Sequence, residues 1–115
     1  MVRMIGDRRK SPRFDLRLPV RYRLSQKGVE NRWNSGITRD MSKDGVVFKT
    51  RHALPVGGHI EVRIDWPARY QSVYPVDLHL TGFVVRSGNG RAAVRFSSHR
   101  FLVQTSEQAE LYKTA

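Results

Sequence analysis

The chain has 115 residues, enough for one domain with a single modest core, and carries 21 Lys and Arg against 10 Asp and Glu, a formal net charge of +11. The absence of cysteine excludes disulfides and thiolate metal sites, and the charge predicts an anionic partner. No apolar run approaches a membrane span and the amino terminus lacks the apolar core of a secretory signal, so a cytoplasmic protein is expected.

Residues 1–13 are polar, basic and poor in core material, and they read as a flexible amino-terminal arm. Within it, Asp7-Arg8-Arg9-Lys10-Ser11-Pro12-Arg13 carries an Arg-x-x-x-Arg spacing from Arg9 to Arg13, with Arg8 as a third guanidinium. Pro12 and the missing apolar periodicity argue against a stable helix here. A guanidinium is a planar fork suited to phosphate oxygens and to the acceptor edge of guanine. The charge is lopsided towards this end: residues 1–32 hold ten Lys and Arg against three Asp and Glu. That asymmetry points to the first third of the chain as the ligand-facing part, with a solubilising basic tail as the plainer reading.

From Leu18 the pattern changes. Val20, Tyr22 and Leu24 alternate with Arg21 and Arg23, predicting a half-buried strand. Ser25 to Gly28 is a turn or loop, and residues 33–39 form a weaker strand that delivers Asp40 and Ser42 to a corner. The corner itself is Asp40-Met41-Ser42-Lys43-Asp44-Gly45, followed by the apolar run Val46-Val47-Phe48. Asp40 and Ser42 are two residues apart, so in extended chain their side chains leave on one face and offer a carboxylate beside a hydroxyl. Such a pair suits the N–H groups of a planar partner such as a guanine edge, although Asp and Ser at turns commonly bond their own backbone. Gly45 suits a place where φ is positive or another backbone approaches closely.

Leu54 to Gly58 reads as a connecting turn. Ile60, Val62, Ile64 and Trp66 then alternate with Glu61, Arg63 and Asp65 in the cleanest two-residue period of the chain. Trp66-Pro67 is expected to end this strand, with residues 67–75 as a loop. Residues 76–86 read as a central strand bent at Gly82. Ser87-Gly88-Asn89-Gly90 reads as a tight hairpin turn, with Ala92, Val94 and Phe96 returning as its partner strand. Residues 99–104 suit a short strand extension, and residues 107–113 a short helix with Ser106 as its cap. Six strands separated by turns favour an antiparallel barrel or sandwich over an α/β sheet.

Other chemistry finds little support. The four histidines show no pairing at metal-ligand spacing, and Gly88-Asn89-Gly90 lacks the third glycine and the helix of a dinucleotide fingerprint. No serine stands in a nucleophile elbow, and no carboxylate pair is placed for acid/base work, so no enzyme, cofactor or metal is expected. Arg86 and Arg91 flank the hairpin and read as solvated. Arg39 and Lys43 flank the corner and add to its attraction for anions.

Taken together, Arg9-x-x-x-Arg13 near the amino terminus, a strand, and then Asp40-x-Ser42-x-x-Gly45 at a strand corner resemble the PilZ domain family, which binds the bacterial messenger cyclic di-GMP. The resemblance runs from about Arg8 to the Phe96 region. It implies a mainly all-β fold: a small six-stranded antiparallel barrel over residues 14–115, with the arm of residues 1–13 folding across the ligand and a short carboxy-terminal helix. It also implies a non-catalytic cytoplasmic cyclic di-GMP receptor. Arg8, Arg9, Arg13, Asp40, Ser42 and Gly45 form the implied ligand-binding set, with Arg9 and Arg13 on phosphate and guanine and Asp40 and Ser42 on a guanine edge. A downstream protein would read the change in surface. The alternatives are a basic barrel that binds single-stranded nucleic acid and a PilZ-like adaptor that binds only protein.

Overall fold

The computed structural model of the chain describes residues 13–25 and 32–104. Six strands run in chain order: β1 Pro19–Leu24, β2 Asn34–Met41, β3 Gly45–Lys49, β4 His59–Tyr70, β5 Tyr74–Gly88 and β6 Arg91–Val103. Every neighbouring pair is antiparallel, and the order β1-β2-β3-β6-β5-β4 closes into a barrel. Closure leaves no open sheet edge for another chain to pair with.

The two-residue period dictates the wall. Along β4, Ile60, Val62 and Ile64 are buried inside while Glu61 and Arg63 point outward. Val20 and Tyr22 of β1, Val46 and Phe48 of β3, Leu78 and Leu80 of β5, and Val94 of β6 complete the interior. The Tyr22 and Phe48 rings meet at 4.9 Å between centroids. Each such side chain taken fully from water contributes roughly 1.5–3 kcal/mol, so the inward rows supply the main stabilisation. Among the described residues there is no helix, and so none long and apolar enough to cross a membrane.

The β5–β6 turn follows its dipeptide. Gly88 pairs with Arg91, and between them Asn89 (φ 54°) and Gly90 (φ 73°) both take left-handed backbone, as a two-residue type I′ turn requires. The bend expected at Gly82 is a β-bulge. Thr81 pairs with Ser98 and Gly82 with Phe96, leaving Ser97 unopposed. A Cβ on Gly82 would stand 2.0 Å from the Arg95 carbonyl oxygen, so glycine is what lets the two backbones close there.

One expectation is overturned. Residues 67–75 are not a loop: β4 continues through Pro67 to Tyr70, and β5 begins at Tyr74. Trp66 pairs with Val76 and Tyr70 with Tyr74, so three residues of β4 stand opposite Pro75 alone. Both prolines fall within this irregularity, where the missing N–H groups break no regular ladder. The hairpin is closed by Gln71 and Ser72 at positive φ, with Val73 N–H donating to Tyr70 O at 3.1 Å. Past Phe96, β6 continues to Val103 along the lengthened β5, in keeping with the strand extension that residues 99–104 suit. The helix expected over residues 107–113 lies outside the described residues.

Candidate functional site

Two stretches far apart in sequence meet at one rim of the barrel. Phe14 forms an isolated bridge to Met41 at the end of β2, its N–H donating to Met41 O at 2.7 Å and its carbonyl accepting from Met41 N at 2.9 Å. This bridge lays Arg13 beside the β2–β3 corner, where Arg13 Nη1 donates to Asp40 Oδ1 at 2.7 Å. Thr38 secures the chain that follows. Its side chain is fully buried, its hydroxyl donates to Leu16 O and accepts from Leu18 N at 2.8 Å, and its own N–H donates to Leu18 O at 2.9 Å. Arg17 adds an ion pair with Asp15 and a bond to Arg39 O at 2.6 Å.

Two bulges shape the wall beneath Arg13. On β2 the register shifts between Thr38 and Asp40, and on β5 between Val84 and Arg86. Each inserts one residue, Arg39 and Val85, so that Asp40 and Arg86 share an outward rung. Asp40 pairs with Val47, Val47 with Ala93, and Ala93 with Arg86. Two hollows lie against this rung, of about 730 Å³ and 520 Å³, both lined by Arg13, Val47, Val85, Arg86 and Ala93. Asp40, Asn89 and Arg91 line the larger; Ser42, Gly45 and Arg95 line the smaller. These volumes fall within the usual range of small-molecule sites.

The surface is suited to a dianion carrying a flat base. Arg13, Arg86, Arg91 and Arg95 provide guanidiniums for phosphate and for a guanine acceptor edge. Val47, Val85 and Ala93 offer an apolar floor, and Asp40 supplies a carboxylate at its margin. Ser42 plays a local part as well: its Oγ accepts from Asp44 N at 3.2 Å, while its N–H donates to Gly45 O at 2.9 Å and closes the corner. Gly45 is required by a close approach rather than by its φ, since a Cβ there would meet Val94 O at 2.5 Å. The structure thus brings Arg13, Asp40, Ser42 and Gly45 to one rim. Arg8 and Arg9 lie outside the described residues.

Arg86, Arg91 and Arg95 are the residues that sequence reasoning passed over. Arg86 and Arg91 flank a hairpin turn, a place where charge is ordinarily just solvated. The period-2 continuation from Arg91 through Ala93 to Arg95 signals one shared face. Nothing in the sequence signals the bulge at Val85 that turns Arg86 onto it.

The PilZ domain family model matches residues 7–111 of this sequence, nearly its whole length. The chain belongs to the PilZ family. Domains of this family are in general cyclic di-GMP receptors and are typically non-catalytic. Two solved PilZ-type structures share the barrel. The PilZ domain of CeSA from a cellulose-synthesizing bacterium superposes with a TM-score of 0.57 at 20% identity, over 85% of this chain and 87% of that one. The Bacillus subtilis inhibitor of motility, MotI/DgrA, superposes with a TM-score of 0.62 at 15% identity, over 94% of this chain. This chain spans about half of MotI/DgrA, 49% of its length. At these identities the likeness concerns the fold alone. No curated protein sequence gives a significant match.

Proposed function

We propose that this PilZ domain is a cytoplasmic bacterial cyclic di-GMP receptor whose amino-terminal arm closes over the dinucleotide. The observation that carries the reading is the Arg13–Asp40 contact at 2.7 Å, which joins the Arg-x-x-x-Arg segment to the Asp-x-Ser-x-x-Gly corner above the two hollows. In this reading Arg9 and Arg13 hold phosphate and a guanine acceptor edge, with Arg8 adjoining. Asp40 and Ser42 receive the donor edge of a guanine, and Gly45 keeps the corner close to β6. Arg86, Arg91 and Arg95 add charge from the opposite side of the hollow.

Ordering backbone costs roughly 1–2 kcal/mol per residue, while a bidentate arginine–guanine contact contributes roughly 1–3 kcal/mol, with charge-assisted phosphate bonds in addition. Terms of similar size make the arm's position depend on the messenger. The Phe14–Met41 bridge is the pivot, because residues beyond it are tied to β2 through Thr38. A moved arm remodels the rim shown to a downstream protein.

Isothermal titration of the chain with cyclic di-GMP tests this. Arg13→Ala and Asp40→Ala should each weaken binding by about one to two orders of magnitude. Asp40→Ala should also lower the preference for guanine over adenine cyclic dinucleotides. Unchanged affinity in both variants would remove the two residues from the site. Affinity for linear oligonucleotides that rises with their length, and no response to the cyclic dinucleotide, would favour single-stranded nucleic acid instead.

A further inference from the structure

Exposed apolar side chains gather at the margin of the two hollows. Phe83 and Val85 flank the buried Val84 on β5, and each keeps 46% of its surface in water. Phe83 shares an outward rung with Arg95 of β6 and His59 of β4, and its ring meets the His59 imidazole at 5.3 Å between centroids. Gly57 N–H donates to Val84 O at 2.7 Å, and Val84 N–H donates to Gly58 O at 3.0 Å. These bonds lay the Leu54–Gly58 turn against β5 and bring Val56, 66% exposed, to the same margin. Val56 and Val85 both line the larger hollow. Polar side chains would satisfy these outward positions, so neighbouring apolar groups here mark a contact surface.

The chain itself carries a cover of matching chemistry. Val2, Met4 and Ile5 stand together in the sequence, ahead of Gly6 and the basic run Arg8-Arg9-Lys10. They precede the described residues, which begin at Arg13, and Arg13 lines both hollows. From Asp40, which Arg13 holds, the outward rung runs through Val47 and Ala93 to Arg86. That is three strand spacings, or about 14 Å. Ile5 stands eight positions before Arg13, and eight residues of extended chain span up to about 26 Å. The reach exceeds the span and leaves slack for a ligand beneath. A second copy of the chain fits the strip less well, because a net charge of +11 opposes pairing of like with like.

We propose that Val2, Met4 and Ile5 seat on the Val56–Phe83–Val85 strip when cyclic di-GMP is bound, an apolar latch that holds the arm across the hollow. The latch rests on the receptor reading above and names where the arm docks. Electrostatics makes it depend on the ligand. Without an anion, Arg8 and Arg9 would cross a hollow already lined by Arg86, Arg91 and Arg95, and like charges oppose that approach. A dianion between the two sets turns the repulsion into attraction. Burial of the three apolar side chains then offsets part of the entropy lost by an ordered arm, and the ligand's own contacts supply the rest. Phe83 lines neither hollow, so its part is to receive the arm rather than the dinucleotide.

Because the chain has no cysteine, Arg3→Cys accepts a single nitroxide label, and paramagnetic broadening of the ¹⁵N-labelled full chain by NMR tests the proposal. Cyclic di-GMP should broaden the amides of Val56, Phe83 and Val85 while leaving those of Tyr70 and Val73, exposed on the β4–β5 hairpin, unchanged. By calorimetry, Phe83→Ser and the pair Met4→Ser with Ile5→Ser should each weaken cyclic di-GMP binding at least about fivefold. Their combination should be little weaker than either, since both remove one contact. Ligand binding without broadening at the strip, which leaves the strip to another protein, would overturn the latch and spare the receptor reading. Losses that multiply in the combined variant would do the same. Broadening of a ¹⁵N chain by a separate spin-labelled copy would assign the strip to a second molecule and also overturn the latch. No heat with the dinucleotide would overturn both readings.

Discussion

Replacing Thr38 with valine removes a hydroxyl and almost nothing else in shape. Thr38 is fully buried, and its hydroxyl both donates to Leu16 O and accepts from Leu18 N. In Thr38→Val both backbone groups lose their partner to a methyl. A buried polar group left unsatisfied costs about 1–3 kcal/mol, and Leu16 and Leu18 are only partly buried, so the lower half of that range applies to each. The sum is about 2–4 kcal/mol, a large share of the roughly 5–15 kcal/mol of a typical domain. Thr38→Ser keeps the hydroxyl and loses one methyl, at a cost of about 1 kcal/mol. Equilibrium urea unfolding should therefore rank wild type above serine and serine above valine. With m near 1–3 kcal/mol/M, the valine midpoint should fall by about 1–2 M. Because Thr38 ties down the chain that carries Arg13, the valine variant should also bind cyclic di-GMP several-fold more weakly than the serine variant. A valine variant as stable as the serine one would refute the claim that this hydroxyl secures the Leu16–Leu18 segment.

Three further expectations follow from the same geometry. Gly82→Ala places a Cβ 2.0 Å from the Arg95 carbonyl oxygen, a backbone atom that cannot move without parting β5 from β6. It should cost more than about 3 kcal/mol, and circular dichroism with urea unfolding should show a far weaker or unfolded barrel. Asp40→Ala, by contrast, removes only a half-exposed ion pair, and its urea midpoint should reflect a change within about 1 kcal/mol however strongly ligand binding suffers. His79 makes stability depend on pH. Burial first, then Arg63 and Arg100, oppose its protonation against the favourable pull of Asp77 and Glu61, and its folded pKa falls to about 4 from 6.5. Between those values the unfolded chain binds the proton more readily, so stability should decline as pH falls from about 6.5 to about 4. His79→Gln should flatten that segment of the unfolding-against-pH curve, and an unchanged slope would contradict the assignment.

The parts of the barrel legible in the sequence are those governed by local periodicity and turn chemistry. Ile60, Val62 and Ile64 alternate with charged residues in a way that only a half-buried strand satisfies, and Asn89-Gly90 can form a two-residue hairpin turn that few other dipeptides allow. Pro67 misled for a physical reason. Proline stops a regular ladder, but a widened bulge opposite Pro75 absorbs it, and whether such a bulge exists depends on the partner strand. The same holds at the rim. The Arg-x-x-x-Arg and Asp-x-Ser-x-x-Gly stretches are visible as residues, and their joining through Arg13 and Asp40 depends on the Phe14–Met41 bridge, a contact across 27 positions. Arg86 escaped because the insertion of Val85, which sets the face that Arg86 occupies, is a matter of register with β6. Thr38 looked like an ordinary strand former, since a buried hydroxyl that bonds the Leu16 carbonyl and the Leu18 N–H leaves no periodic trace.

Calorimetric titration of the full chain with cyclic di-GMP addresses the central claim most directly. A saturable heat at micromolar concentrations or below, with a small fixed stoichiometry and a loss of about one to two orders of magnitude in Arg13→Ala, is the predicted result. A chain that folds as described, yet gives no heat with the dinucleotide at those concentrations, would contradict the receptor assignment.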